Sequence, residues 1–276
     1  MKLAWATDIH LDCVDNIEHS LSSLESASRS CDAVILSGDI SVGPSIALHL
    51  RMLEEALEKP IYFVLGNHDY YFSDIAGTRR RVIDTCNFIS YSRYLNSVPY
   101  VKLGQKAAIV GSDGWYDGFN GSLEKSSFIM NDWLKIKDFQ PAIQQMPGRT
   151  NLDLPTIVKI SRSICHASVL HIIKGIKAIA DNVDDIVVVT HVPPFVESYR
   201  SEKYKDMDPE TVIPWYTSKM MGEMLLIAAK TYPNVQFTVL SGHTHSSFEG
   251  RILPNLLAYV GKSQYGTPQI AGYIDI

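Results

Sequence analysis

Short apolar runs that stop abruptly at Asp, His or Asn punctuate this chain. Leu3-Ala4-Trp5-Ala6-Thr7 leads into Asp8-Ile9-His10, and Ala33-Val34-Ile35-Leu36 into Ser37-Gly38-Asp39. Ile61-Tyr62-Phe63-Val64 leads into Leu65-Gly66-Asn67-His68-Asp69. Ile186 to Thr190 leads into His191, and Phe237 to Leu240 into Gly242-His243-Thr244-His245. Such short, continuous, β-branched runs predict strands buried on both faces. Between them the period changes to three and four. Ile17, Leu21, Leu24 and Ala27 predict a helix over about 15–30, and Ile46, Leu50, Leu53 and Leu57 a helix from Pro44 to Lys59 that Pro60 stops. A third helix is predicted over 73–86. Strand, helix, strand, helix, strand in that order predicts an α/β fold with a largely parallel sheet covered on both faces. Sites in such sheets form at the carboxyl ends of the strands, where all five polar termini fall.

Short strands are predicted at Tyr100–Leu103 and Ala107–Gly111. The pattern then degrades over about 112–150, where Asp113-Gly114-Trp115-Tyr116-Asp117-Gly118-Phe119-Asn120-Gly121 is aromatic, acidic and glycine-rich. The spacing allows a helix within Phe128–Phe139, but the segment has no apolar periodicity of its own. It reads as a cap or flap inserted into a single domain spanning 1–276. Leu154 to Asp181 predicts a long helix with Ile157, Ile160, Ile164, Val169, Ile172, Ile176 and Ile179 inward, and 214–231 another. The loop after His191 predicts a surface lip, and the alternating runs after His245 predict an antiparallel finish.

Composition narrows the class. A net charge of -5 with no basic stripe disfavours nucleic acid as a partner, and Arg79-Arg80-Arg81 reads as a solvated helix face. The four cysteines are scattered with no CxxC pair, which fits a reducing compartment, and a cytoplasmic location is expected. No run reads as approaching membrane-spanning length, and no membrane partner is expected.

The strand ends carry the chemistry. Asp8 and His10 are separated by one residue, so in an extended segment both project the same way. Asp39 follows Gly38, which allows a sharp turn, and its two oxygens can each take one ion. With Asn67, His191, His243 and His245 the set is two Asp, one Asn and four His, without a thiolate. Mixed N/O ligation of this kind suits Mn, Fe, Zn or Co and not a structural zinc site. Seven ligands with one shared exceed the need of one tetrahedral ion and suffice for two. Paired ions activate a shared water and clamp a phosphoryl group for in-line attack. His68, beside Asn67, is the natural general acid for the leaving group. Five of the nine histidines fall at these strand ends; His19, His49, His166 and His171 lie on predicted helices and read as structural.

As a set, D-x-H (Asp8, His10), GD (Gly38-Asp39), GNHD (Gly66 to Asp69), a lone His191 and GHxH (Gly242 to His245) resembles the calcineurin-like metallophosphoesterase superfamily. The resemblance implies a four-layer α/β/β/α sandwich with a binuclear metal centre. It implies one ion on Asp8, His10, Asp39 and His245, and a second on Asp39, Asn67, His191 and His243, either divalent or of mixed valence. His68 would contact the substrate phosphate. Spacing alone would place His243 and His245 on one ion; their division comes only from the resemblance. Protein phosphatases of the superfamily read GDxxDRG, and here Val42 and Gly43 stand at the second Asp and the Arg. The plainer motif is similar to the phosphodiesterase-like branch, and Gly111 to Asp117 to a stretch of uncharacterised bacterial members. The expected substrate is therefore a small phosphate ester, a diester ahead of a monoester. A non-catalytic scaffold of the same fold and a nuclease are the alternatives. Trp115, Tyr116, Asn120, Tyr199 and Arg200 are candidate rim residues, and Asp69 is expected to hold the turn.

Overall fold

Odd-numbered residues of the first strand face one way and even-numbered residues the other, and this alternation builds the layers. The computed structural model describes residues 1–146, 149–199 and 206–276. The strands β1 (Lys2–Ala6), β2 (Ala33–Ser37), β3 (Ile61–Val64) and β4 (Ser92–Tyr94) run parallel in one sheet. The last strand of the chain closes that sheet antiparallel to β1. A second sheet contains β5 (Val101–Leu103) and β6 (Ala107–Gly111), and a separate hairpin joins β7 (Ile143–Met146) to β8 (Arg149–Leu152). The second sheet continues with β9 (Asp185–Val189), β10 (Gln236–Ser241), β11 (Phe248–Leu253) and β12 (Leu256–Val260), and β13 (Ile270–Asp275) returns to the first. In order the sheets read β13-β1-β2-β3-β4 and β11-β12-β10-β9-β6-β5.

Leu3, Trp5, Ala33, Ile35 and Val64 meet Ile109, Val187, Val189 and Leu240 between the two sheets. Ala4, Ala6, Val34, Leu36 and Phe63 face outward onto the helices α1 (Ile17–Ser28), α2 (Ile46–Leu57) and α3 (Ile75–Cys86). On the far side Ala108, Val110, Ile186, Val188 and Val239 pack under two long helices. The largely parallel first sheet is covered on both faces, and each sheet has helices on one face and the other sheet on the second, the four-layer α/β/β/α sandwich that the resemblance implies. Uninterrupted apolar runs look the same under either cover, because both faces of the strand are dry.

The short α4 (Asn131–Lys135) lies in the 112–150 segment, α5 (Leu154–Ile179) and α7 (Lys219–Thr231) cover the second sheet, and the single-turn α6 (Pro209–Val212) precedes α7. Asp153 and Ser218 cap α5 and α7 by accepting from the Thr156 and Met221 amides. The helix α5 is long and apolar enough, by length and composition, to cross a membrane, which corrects the reading that no run approaches that length. Its Ile172, Ile176 and Ile179 are buried against the second sheet. The tail is antiparallel only in part, since β11 and β13 run antiparallel to their neighbours but β12 lies parallel to β10. Trp115, Tyr116, Trp133 and Phe139 of the 112–150 segment are buried in the same core as the outer face of the first sheet. Residues 147–148 at its far end lie outside the described residues.

Candidate metal centre

The carboxyl ends of β1, β2 and β3 meet those of β9 and β10 at one edge of the sandwich. The two sheets are stitched there by the His243 amide donating to both Asp8 oxygens (3.0 and 3.1 Å) and by His191 Nδ1 donating to the Ser37 carbonyl (2.9 Å). Glycines make the approach possible. At Gly242 a Cβ would sit 2.0 Å from Thr7 Oγ1 and 2.1 Å from Asp8 Oδ2, and Gly38 turns with φ +95° beside the His191 ring.

Asp8, His10, Asp39, His243 and His245 all have left-handed backbone (φ 50°, 40°, 52°, 68° and 58°). That conformation costs a non-glycine residue energy and persists where surrounding contacts impose it, commonly at functional sites. It also corrects one argument from sequence. Asp8 and His10 converge through a left-handed wind after β1, not through strand alternation.

Two groups of donor atoms form around Asp39. In the first, Asp8, His10, Asp39 and His245 each place one ligand atom within 4.8 Å of the others. His10 Nε2 lies 3.3 Å from His245 Nε2 and 3.8 Å from Asp39 Oδ2, and His245 Nε2 lies 3.2 Å from Asp8 Oδ1. In the second, Asn67 Oδ1 lies 3.0 Å from His191 Nε2 and 2.9 Å from His243 Nδ1, with Asp39 Oδ1 3.4 Å from His191 Nε2. Asp39 thus turns one oxygen to each group. Lone-pair atoms crowded this closely, with no thiolate among them, fit two oxygen- and nitrogen-liganded cations.

The charges are sorted by their surroundings. Burial raises the Asp8 carboxyl, but the His245 hydrogen bond and the nearby His191 outweigh it and hold the group at about 2. Burial opposes a charged His191, yet Asp39 lifts it to about 10. Burial holds His243 at about 4 and His68 at about 3, so both are neutral at pH 7. Neutral imidazole is the ligating form, so His191 would have to give up a proton to hold an ion.

The sequence model of the calcineurin-like phosphoesterase family matches residues 1–247. The chain belongs to that family. This phosphoesterase is a metal-dependent hydrolase of phosphate esters. Its fold is similar to that of the phosphopantetheinyl hydrolase of Mycobacterium tuberculosis, with TM-score 0.64 and 16% identity over 96% of this chain and 90% of that one. A dimetal phosphatase from Danio rerio superposes with TM-score 0.57 and 13% identity, covering 97% and 89%. GAP50, the anchor in the inner membrane complex of Plasmodium, gives 0.50 and 13%, covering 98% and 76%. No curated protein matches the sequence.

His68 of the phosphoesterase stays outside both groups, with Nε2 3.9 Å from Asp39 Oδ2 and its ring stacked on Tyr71 at 4.2 Å. Its amide donates to Asp39 Oδ1 at 2.8 Å. Tyr265 brings its hydroxyl to 3.4 Å from His68 Nε2 and lays its ring 4.4 Å from that of His10. Val42 and Gly43 supply no acid, and aromatic neighbours frame the imidazole instead. Asp69 holds more than its own turn: it accepts from the Ile40, Ser41 and Gly66 amides and so locks the Gly38-Asp39 loop to the Gly66-Asn67 loop.

A cleft of about 910 Å³ opens above Asp39, Asn67, His68, His243 and His245. It is lined by Phe128, Ile129 and Met130 and by Lys262, Gln264 and Tyr265. The sequence-based rim needs correcting. Trp115 and Tyr116 are buried, Asn120 donates to Thr217, and Tyr199 packs near Tyr216. Arg200 lies outside the described residues. Arg79 is no solvated side chain either: it pairs with buried Asp113 at 2.9 Å, alongside the Tyr70 and Tyr94 hydroxyls. Sequence reasoning missed Tyr265, Tyr71 and Asp132. Tyr71 adjoins the GNHD motif and could have been suspected; Tyr265 and Asp132 had no local signal.

Proposed function

We propose that this protein is a binuclear phosphodiesterase of small molecules, with one ion on Asp8, His10, Asp39 and His245 and the second on Asp39, Asn67, His191 and His243. The observation that carries the reading is Asp39, whose Oδ2 faces His10 and whose Oδ1 faces His191. The ions, Mn, Fe or Zn on the chemistry of the donors, would supply a hydroxide nucleophile at neutral pH and a clamp on the phosphoryl oxygens. The chain's own part is orientation. Ser37 and Trp215 carbonyls accept from the outer nitrogens of His191 and His243, which fixes the ring that faces inward. His68 lines the cleft beside Asp39 and clear of both groups; to serve the leaving oxygen its imidazole, neutral in the free protein, would have to gain a proton when the anionic ester binds beside it.

The preference for a diester rests on two features. Among the described residues Lys262 is the lysine or arginine lining the cleft, and no arginine from the Gly38 loop replaces the one found in protein phosphatases, which favours a singly charged diester over a doubly charged monoester. The lining also combines apolar Phe128, Ile129 and Met130 with polar Lys262 and Gln264, which suits a phosphorus atom bearing two different alcohols. A cytoplasmic location remains part of the proposal.

The test is a substrate panel on protein loaded separately with Mn, Fe and Zn: cyclic nucleotides, nucleotide diphosphate conjugates, phosphopantetheinyl conjugates, glycerophosphodiesters and monoesters. Higher kcat/KM on diesters is expected. Faster turnover of p-nitrophenyl phosphate than of its bis ester would overturn the preference and leave the hydrolase.

A further inference from the structure

We propose that Asp132 is a positioning residue for the metal centre, fixing the side-chain amide of Asn67 so that its oxygen, and not its nitrogen, faces the ions. The inference rests on the assignment of Asn67 as a ligand. An asparagine amide has two ends of nearly equal shape, of which only the oxygen carries lone pairs for a cation. Shape alone cannot choose between them; the group behind the amide must. Behind Asn67 stands the Asp132 carboxylate, with Oδ1 accepting from Asn67 Nδ2 at 2.8 Å and from the Tyr71 hydroxyl at 2.7 Å. A reversed amide would set oxygen against oxygen at that distance. The forward amide presents Oδ1 to His191 Nε2 and His243 Nδ1.

Asp132 is fully buried on α4, in the segment that interrupts the periodic pattern of the chain. The helix is pinned beside the Asn67 loop at its C-terminal end by two main-chain bonds, from the Phe72 amide to the Lys135 carbonyl (2.8 Å) and from the Lys137 amide to the Ser73 carbonyl (3.0 Å). Trp133, next along α4, donates to the Tyr116 hydroxyl, which fixes the helix from behind. Tyr71, held by the same carboxylate, is the ring on which His68 stacks. One carboxylate from the inserted segment therefore sets a metal ligand directly and the wall of His68 through a tyrosine. The insertion is in this sense part of the centre, not only a wall of the cleft.

Metal titration tests this. Mn²⁺ binding to metal-free protein is followed by calorimetry, with bound metal counted after gel filtration. Asp132→Ala is expected to keep one ion at wild-type affinity and to weaken the other by about 10- to 100-fold, the usual effect of losing a group that orients a ligand. Asp132→Asn, whose carboxamide oxygen can still accept from Asn67, should restore most of the loss. If the alanine variant does not fold, Asp132→Leu fills the volume without an acceptor and should show the same selective weakening relative to Asp132→Asn. Wild-type affinity for both ions in the alanine or leucine variant would overturn the proposal, as would equal weakening of both. Asn67→Ala separates the two assignments: if it too binds both ions normally, the ligand reading has failed. If it loses one ion and Asp132→Leu does not, only the positioning role has.

Discussion

Asp8, His10 and His245 meet Asp39 in a group that is rich in charge, whereas Asn67, His191 and His243 meet the same carboxylate in a group held by hydrogen bonds from outside it. The first brings an additional carboxylate, and His10 Nδ1 has no hydrogen-bond partner among the described residues. The second brings a neutral amide, with every ligand fixed from behind: Asn67 by Asp132, His191 by the Ser37 carbonyl and His243 by the Trp215 carbonyl. Charge can hold a cation in an imperfectly fixed frame; a neutral donor set needs its geometry set in advance. The expectation is two unequal sites, the first tight through charge and the second dependent on support from α4.

The largest effect belongs to the residue the two groups share. Asp39→Asn removes the charge common to both and should release both ions, with kcat/KM falling by about a thousandfold or more, the scale of losing a dominant electrostatic contributor. One ion retained at wild-type affinity would show that the carboxylate does not bridge. Next comes Asp8→Asn, which makes the first group resemble the second in charge. The order of filling should then become less distinct, with the first ion weakened by roughly 10- to 100-fold. An unchanged pair of affinities would break the contrast between charge and preorganisation.

His68→Ala tests the residue outside both groups. Both ions should remain, and turnover of alkyl diesters should fall by about 10²- to 10⁴-fold, the range of general acid catalysis. A nitrophenyl ester, whose leaving group needs little protonation, should lose much less. Equal losses on both substrates would remove His68 from proton transfer and leave it a wall of the cleft.

The part of this centre that was legible in sequence is the part in which chemistry is packed into neighbouring residues. Asp8 with His10, Gly66 with Asn67 and His68, and His243 with His245 announce themselves because strand ends must turn, and polar side chains at such ends share one edge. Asp132 and Tyr265 do not, because their meaning arises only when α4 and the loop before β13 fold back onto that edge. Arg79 shows the same limit from the other direction. Three consecutive arginines on a helix suggest a solvated face, yet a helix turns by about 100° per residue. The first of the three consequently points inward to Asp113, itself at the end of β6 and unread in sequence. The layers followed a similar rule: burial on both faces was legible, but not whether a helix or a second sheet did the burying.

The smallest effect is a pH dependence of stability in the metal-free protein, and it separates the buried imidazoles from the carboxylate. Burial holds His243 at about 4 and His68 at about 3, both below the ordinary 6.5, so between those values the unfolded chain binds more protons than the folded one. Their contribution is therefore fully present above about 6.5 and is lost as the pH falls. Asp8, held at about 2 against an ordinary 3.8, contributes stability above 3.8 that is lost only as the pH falls through about 2. Burial also lowers His10 of the charged group, so both groups should begin to weaken below about 6.5, with Asp8 failing only at stronger acid. Thermal unfolding of chelator-treated protein should show Tm declining from pH 6.5 downward, and His243→Gln, which cannot titrate, should flatten that limb. A limb left unchanged by His243→Gln would mean that the acid sensitivity belongs elsewhere. A profile flat down to pH 4 would mean that the buried imidazoles are not held neutral by the fold.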